Sequence, residues 1–319
     1  MNGVLIIDKP ADLTSHDVVS RARRLLNQRS VGHLGTLDPM ATGVLPLVIG
    51  SFTRLAQFYV GSEKTYEGTI RFGFSTDTYD AAGEPSSEPR NVALSREQVE
   101  SIADRFRGSL SQTPPPFSAK KIKGVPAYKL ARKQQEVTLQ PVEVEIKELE
   151  IVTVEADRAH FRARVTSGTY MRSVAHDMGQ ALGCGAHLES LRRTSVAEFT
   201  LADAHTLEEV EQTKSATKNC HSDRNSALPQ GEPSGVEGPR VLTDLEALFV
   251  HPRKLLPAFP SVTADEMATA YIRSGRTVNL PELSRARQVK VFSGQRDLIA
   301  IATRVAGTLF HPKIVLCGS

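Results

Sequence analysis

No apolar run in this chain approaches the roughly 20 residues that a membrane-spanning helix requires, so a helical membrane protein is excluded. The first residues, Met1-Asn2-Gly3-Val4-Leu5-Ile6-Ile7-Asp8-Lys9-Pro10, lack the basic start and cleavage site of a secretory leader. Cysteine is scarce: Cys184, Cys220 and Cys317 are odd in number and far apart, so no disulfide framework is expected. These absences together lead us to expect a cytoplasmic protein. Charge of one sign is also lacking, since a formal net charge of +3 over 319 residues does not announce a polyanionic partner. No internal repeat is present. What remains, 40% hydrophobic and 24% charged, is an ordinary globular composition with length for one large domain and a small one.

Acids are missing from one place in particular. From Ser111 to Gln135 there is none, while Lys120, Lys121, Lys123, Lys129, Arg132 and Lys133 alternate with Phe117 and Tyr128. A second basic group, Arg21, Arg23, Arg24 and Arg29, lies on or just after the first expected helix. Basic clusters attract phosphates, although most charge runs are simply solvated faces. Aromatics between the lysines favour RNA contact, and we add Arg54 to that set.

Hydrophobic periodicity organises the rest. Val4 to Ile7 reads as a short buried strand, and Thr14 or Ser15 caps a helix to about Leu26, with Val18, Val19, Ala22, Leu25 and Leu26 on one face. Tyr66, Gly68, Ile70 and Phe72 alternate with polar residues as a half-buried strand. Ser95-Arg96-Glu97-Gln98 is a capping box for a helix carrying Val99, Ile102, Ala103 and Phe106 and stopped by Gly108. Strands follow near 142–146 and 161–165, then a helix from about Tyr170 to Leu182. Alternating strands interleaved with helices predict an α+β fold with a mixed, largely antiparallel sheet. Its open face would serve as the floor of an RNA cleft. Glu211 to Arg240 has no aromatic residue and is rich in Ser, Thr, Asn, Gly and Pro, so a disordered insert is expected there. A short helix near 242–249 leads into a separate β-rich segment over 257–319, its strands turning at Ser293-Gly294-Gln295.

The most informative stretch is Gly32-His33-Leu34-Gly35-Thr36-Leu37-Asp38-Pro39-Met40-Ala41-Thr42-Gly43-Val44-Leu45-Pro46. Its single carboxylate, Asp38, stands among glycines that permit unusual backbone angles and prolines that restrict them. Such a segment is either an ordinary Asp-Pro turn or a loop presenting one acid at a defined angle.

This run resembles the catalytic loop of the TruB family of pseudouridine synthases, which isomerise uridine 55 in the T loop of transfer RNA. The resemblance extends from about Gly3 to Thr206 and implies the pseudouridine-synthase type of sheet. It implies that Asp38 is the essential aspartate. Thr169-Tyr170-Met171-Arg172-Ser173 is similar to the family's Gly-Thr-Tyr-x-Arg-Ser motif, which implies that Arg172 pairs with Asp38 and places Tyr170 at the substrate. Lys64-Thr65-Tyr66 matches a Lys-x-Tyr strand whose tyrosine, Tyr66, stacks on the uracil, and Leu191 matches a leucine walling the pocket. Asp8-Lys9-Pro10 matches a motif in which Lys9 supports the site, although Asp12 stands where the family has glycine. Aspartate tolerates the left-handed backbone, so the turn is expected to survive. His33 reads either as an acid–base group or, by the resemblance, as an RNA contact filling space left by extruded bases. The region 111–140, with Lys120, Lys121 and Lys123, resembles a mobile insertion closing on the T arm. Phe310 to Leu316 resembles a PUA-like RNA-binding module, giving a catalytic domain over 1–250 and a PUA-like domain over 257–319.

Pseudouridine formation breaks the N1–C1′ bond, turns the base and joins C5 to C1′, with no net oxidation or hydrolysis. No cofactor is therefore expected. Cys184 and His187 have metal-ligand spacing, but no second pair completes four ligands, and no metal is expected. A monomer binding the tRNA T arm is expected. Two competitors differ in class: a tRNA-binding or folding protein whose catalysis is secondary or lost, and a glycoside hydrolase. The latter needs two carboxylates flanking the bond where this loop offers one.

Overall fold

The computed structural model describes residues 1–118, 120–122, 125–126, 139–224 and 244–316; the side chains of 121–122, 125–126, 216–224 and 244 lie outside the description. The chain begins with β1 (Gly3–Lys9), α1 (Ser15–Leu26), β2 (Val31–His33) and β3 (Thr42–Ile49). The apolar runs of β1 and β3 are buried on both faces. Leu5, Ile7, Leu45, Leu47 and Ile49 enter one core, and Val4, Ile6, Val44 and Val48 enter another. Continuous hydrophobicity is what a strand covered on both sides requires.

A 3₁₀ turn, Gly50–Phe58, leads to β4 (Lys64–Phe72), which alternates as its sequence predicts. α2 (Arg96–Asp104) carries the expected Ser95 capping box. It ends four residues before Gly108, whose φ of +88° instead begins β5 (Gly108–Gln112). The two-residue strands β6 (Lys121–Ile122) and β7 (Val125–Pro126) pair with each other. Next come β8 (Val142–Glu155), β9 (Arg158–Val165), α3 (Met171–Ala181), β10 (Ala186–Val196), β11 (Phe199–Thr200) and β12 (Ala204–His205). The ten-stranded sheet runs β12-β1-β3-β10-β4-β9-β8-β5, with β2 beside β3 and β11 beside β10. Within this sheet only the β1–β12 and β3–β10 pairs are parallel among the described strands, so it is mixed and largely antiparallel.

Val18 and Ala22 of α1, Val99 and Ala103 of α2, and Val174 and Met178 of α3 cover one face of this sheet. The opposite face of β4, β8 and β9 is open, and its charges pair: Arg162 with Glu67, Arg164 with Glu63 and Glu148, Arg158 with Glu189. This open face is the one expected to floor an RNA cleft, and its cations already have carboxylate partners.

The expectation of a disordered insert is corrected. α4 (Leu207–Arg224) makes Glu211 to Arg224 helical. Thr206 and Glu209 form a reciprocal cap, Leu207 and Val210 are buried, and Arg21 of α1 pairs with Glu211. Docking supplies the stabilisation that the local sequence lacks. Residues 225–243 lie outside the described set, and α5 (Asp244–Ala247) follows.

The remaining strands are β13 (Ser261–Ala264), β14 (Val278–Asn279), β15 (Gln288–Ser293), β16 (Asp297–Ala306) and β17 (Leu309–Val315), with α6 (Glu266–Arg273) after β13. They form a five-stranded sheet ordered β13-β15-β16-β17-β14. Phe292, Leu298, Ile301 and Ile314 pack against Val4, Ile6 and Val44, so the two sheets share an apolar core. Lys290 is buried and donates to the carbonyls of Arg253 and Leu255, fixing the connection between them.

Candidate active site

The segment between β2 and β3 is strapped to the fold by two buried cations. Lys9 Nζ donates to the carbonyls of Pro10, Leu13 and Pro39 at 2.7, 2.7 and 3.1 Å. Burial lowers its pKa to about 8, opposed by the attraction of Asp38. Arg193, with no exposed surface, donates from Nε to Val44 O at 2.8 Å, from Nη1 to Thr36 O at 3.2 Å and from Nη2 to Gly35 O at 3.0 Å. Asp12 adopts φ +66°, as its tolerance of that region predicts, and its N–H donates to Pro39 O at 2.9 Å. At Gly43, φ +101°, a Cβ would lie 2.2 Å from Arg193 O, so only glycine fits where β3 meets β10.

Asp38 is thereby aimed at the first turn of α3. Arg172 Nε stands 2.9 Å from Asp38 Oδ2, and Nη2 donates to Oδ1 at 3.1 Å. The rest of the guanidinium is also engaged: Nη1 donates to Thr78 O at 3.0 Å and lies 3.5 Å from Asp80 Oδ2, and Nη2 donates to Phe117 O at 3.0 Å. The arginine side chain is 4% exposed and the aspartate 33%, so the fork is covered while the carboxylate keeps a free edge. One hydrogen bond and a second ionic contact to the same carboxylate fix its direction as well as its charge.

That free edge faces a cavity of about 220 Å³ lined by Asp38, Arg172, Tyr66, Leu191, Lys64 and Tyr170. Its size suits a single heterocycle, being smaller than most drug-sized ligand sites. Asp38 is the one carboxylate in the described lining. Register explains the walls: Tyr66 pairs with Arg193 and Gly68 with Leu191 across β4 and β10, which puts Tyr66 and Leu191 on the covered face. At Gly68 a Cβ would lie 2.5 Å from Ser190 O and 3.0 Å from the Phe161 ring, so the close approach of β4 to its neighbours requires glycine there. Tyr170, whose phenol is pushed above its ordinary pKa by burial, is held at the backbone by mutual hydrogen bonds with the Gln112 amide.

The other expected residues lie elsewhere. Lys9 supports the loop from below and does not line the cavity. His33 lines a neighbouring cavity with Ala56, Tyr59 and Val60, sharing Gly35, Lys64 and Ser167 with the first. Burial lowers its pKa below the usual 6.5, which disfavours the charged form. Arg54 Nη1 donates to Val315 O of the second sheet at 2.7 Å, away from the cavity. Lys120 Nζ donates to Gln140 O at 3.3 Å. The Lys121 side chain and Lys123 lie outside the described residues, as does most of the region 123–138. Among the described residues no group of three His, Cys, Asp or Glu side chains is arranged to hold a metal.

Sequence reasoning missed Arg193, Lys64 and Asp80. Arg193 was within reach, since it sits two residues beyond Leu191 and strand alternation puts both on one face. Lys64, its pKa lowered to about 8 by burial and then by Arg193, borders both cavities. Asp80 carried no local signal.

Comparison with known proteins bears directly on this geometry. Residues 23–171 match the family described as TruB family pseudouridylate synthase (N terminal domain), and residues 172–247 match the tRNA pseudouridylate synthase B C-terminal domain. The chain is 49% identical over 319 residues to the tRNA pseudouridine synthase B of Solibacter usitatus, covering 99% of this chain and 100% of the relative. It is 38% identical over 298 residues to the protein of that name from Azoarcus sp., covering 93% and 90%. Among solved structures, one described as an H/ACA RNP bound to a substrate RNA containing 2′-deoxyuridine aligns with a TM-score of 0.68 at 21% identity, covering 99% of this chain and 85% of that one. That likeness is one of fold.

Proposed function

The chain belongs to the TruB family of tRNA pseudouridine synthases, which are isomerases, and on that footing we propose that it converts uridine 55 of the tRNA T loop to pseudouridine with Asp38 as the acting carboxylate. The observation that carries this reading is the Arg172–Asp38 fork opening onto a single-base cavity walled by Tyr66 and Leu191.

The target nucleotide must leave its stack to reach Asp38. Tyr66 then offers a face for the uracil, an interaction worth roughly 1–3 kcal/mol for a base on an aromatic ring. Leu191 bounds the base, and Arg172 holds the carboxylate toward the ribose. Asp38 acts either by adding to C1′ as the N1–C1′ bond breaks, or by taking a ribose proton to leave a glycal. In both routes the freed uracil turns within the cavity before C5 bonds to C1′, displacing the Asp38 oxygen in the first route and adding to the glycal as the abstracted proton returns to C2′ in the second. The C5 proton then departs and N1 takes up a proton. Reactant and product have the same atoms, so neither an oxidant nor water enters the balance.

His33 fills space vacated by neighbouring T-loop bases, its lowered pKa suiting a neutral packing surface. Lys9 keeps the loop in shape, and Tyr170 contributes to the cavity wall. Lys120, Lys121, Lys123 and Arg54 meet the RNA backbone, and the second sheet serves as a PUA-like RNA-binding unit. On this reading the chain works as a cytoplasmic monomer.

Release of tritium from 5-tritiated uridine in a T-arm stem-loop tests the reading. Asp38→Asn is expected to bind the stem-loop while releasing no tritium. Turnover by that variant removes Asp38 from the chemistry, and free uracil as product replaces isomerisation with hydrolysis.

A further inference from the structure

One turn beyond Arg172 on α3, His176 stacks on Tyr79, with ring centroids 3.8 Å apart and planes 15° from parallel. Tyr79 has φ +65°, a conformation that bulky residues keep only where their surroundings enforce it. The residues on either side of Tyr79 both serve the active-site arginine: Thr78 O accepts from Arg172 Nη1 at 3.0 Å, and Asp80 Oδ2 lies 3.5 Å from the same atom. The Thr78 carbonyl belongs to the peptide plane that turns with φ of Tyr79. Relaxation of Tyr79 to negative φ therefore swings that carbonyl off the guanidinium.

Two things oppose the relaxation. On the backbone, Leu188 N–H donates to Tyr79 O and Ala81 N–H to Leu188 O, each at 3.0 Å. On the side chain there is the imidazole of His176. Its Nδ1 has no hydrogen-bond partner among the described residues, and burial disfavours its charged form. The ring is thus a flat, neutral surface whose contact is the stack.

We propose that His176 is a positioning residue for the isomerisation: its stack on Tyr79 holds the left-handed turn that aims the Thr78 carbonyl at Arg172, and so keeps Arg172 seated on Asp38. This rests on reading Asp38 as the acting carboxylate. The plainer role, general packing of a loop on a helix, changes stability without touching the chemical step.

Steady-state tritium release separates the two. His176→Ala is expected to lower kcat roughly tenfold, the order of one residue's cost in the left-handed region, with KM within about twofold. His176→Phe, which keeps a flat ring, recovers most of that loss. Glycine adopts φ +65° without strain, so His176→Ala added to Tyr79→Gly produces no further loss. Should His176→Ala fail to fold, Tyr79→Gly must still exceed Tyr79→Ala in kcat. An unchanged kcat in His176→Ala with a lowered Tm overturns the proposal. So does an equal loss from His176→Ala with and without Tyr79→Gly, or a Tyr79→Ala as fast as Tyr79→Gly. The Asp38→Asn assay fails or succeeds separately: an inactive Asp38→Asn beside a fully active His176→Ala sinks the positioning role alone.

Discussion

The two faces of the large sheet use the same residue types to opposite ends. On the open face Arg162, whose side chain is 57% exposed, pairs with Glu67, 46% exposed. On the covered face Arg193 has no exposed surface and spends its donors on backbone carbonyls of the Asp38 loop, while Arg172 is 4% exposed and grips Asp38. Exposed pairs exchange water for one another at little net gain. Buried guanidiniums have no such alternative, so their partners are held in one geometry. The difference teaches that arginine acts here as a scaffold element wherever water is excluded, and as a solubilising charge where it is not.

The sharpest break of that contrast is Arg193→Met. It leaves three carbonyls of Gly35, Thr36 and Val44 without this donor, and at roughly 1–3 kcal/mol for each buried orphan the loss is expected to exceed about 3 kcal/mol in denaturant unfolding. Arg172→Met comes next. Breaking a fully buried pair costs roughly 3–5 kcal/mol, but the partly exposed Asp38 can be hydrated, so we expect a stability loss below that range. The same change should lower kcat on the order of 100-fold, the effect of a small misplacement of a reacting group, read by tritium release.

A pH experiment sharpens the comparison further. Lys64 has its pKa lowered from 10.5 to about 8 in the folded state, chiefly by burial. Between those values the unfolded chain binds more protons than the folded one, so this group favours folding increasingly as pH rises. The stability of the wild type relative to Lys64→Met is therefore expected to increase from about pH 8 to 10.5, and a flat difference refutes the burial of that ammonium. The smallest effect belongs to the open face. Arg162→Met should change stability by less than about 0.5 kcal/mol and leave tritium release at the wild-type rate. A large loss there would erase the distinction between the faces.

Much of this architecture is legible locally. The unbroken apolar runs of β1 and β3 announce burial on both sides, and the alternation of β4 announces an open face. The Ser95 capping box is found where it is read. Asp38, Tyr66, Leu191 and Arg172 stand out by motif, and the structure brings all four to one cavity. What escapes is of a different kind. Arg193 meets Gly35 O across 158 positions of sequence, and Thr78 meets Arg172 across 94. Nothing in the neighbourhood of Thr78 or Asp80 marks them as partners of an arginine in α3. The helical stretch from Glu211 to Arg224 escapes for a related reason: its own composition is poor, and the contacts of α4 with α1 supply the difference.

Residue order alone determined most of the strands and helices and which loop carries the isolated acid, and its family motifs named an arginine and a tyrosine as companions of that acid. Folding in three dimensions decided which carbonyls the buried cations bind, which side of the sheet keeps unneutralised charge, and how far the Asp38 carboxylate stays open to the cavity. The division has one cause. Periodicity and capping are satisfied within a few residues, whereas the value of a buried charge depends on every group that replaces its water, and those groups arrive from distant parts of the chain.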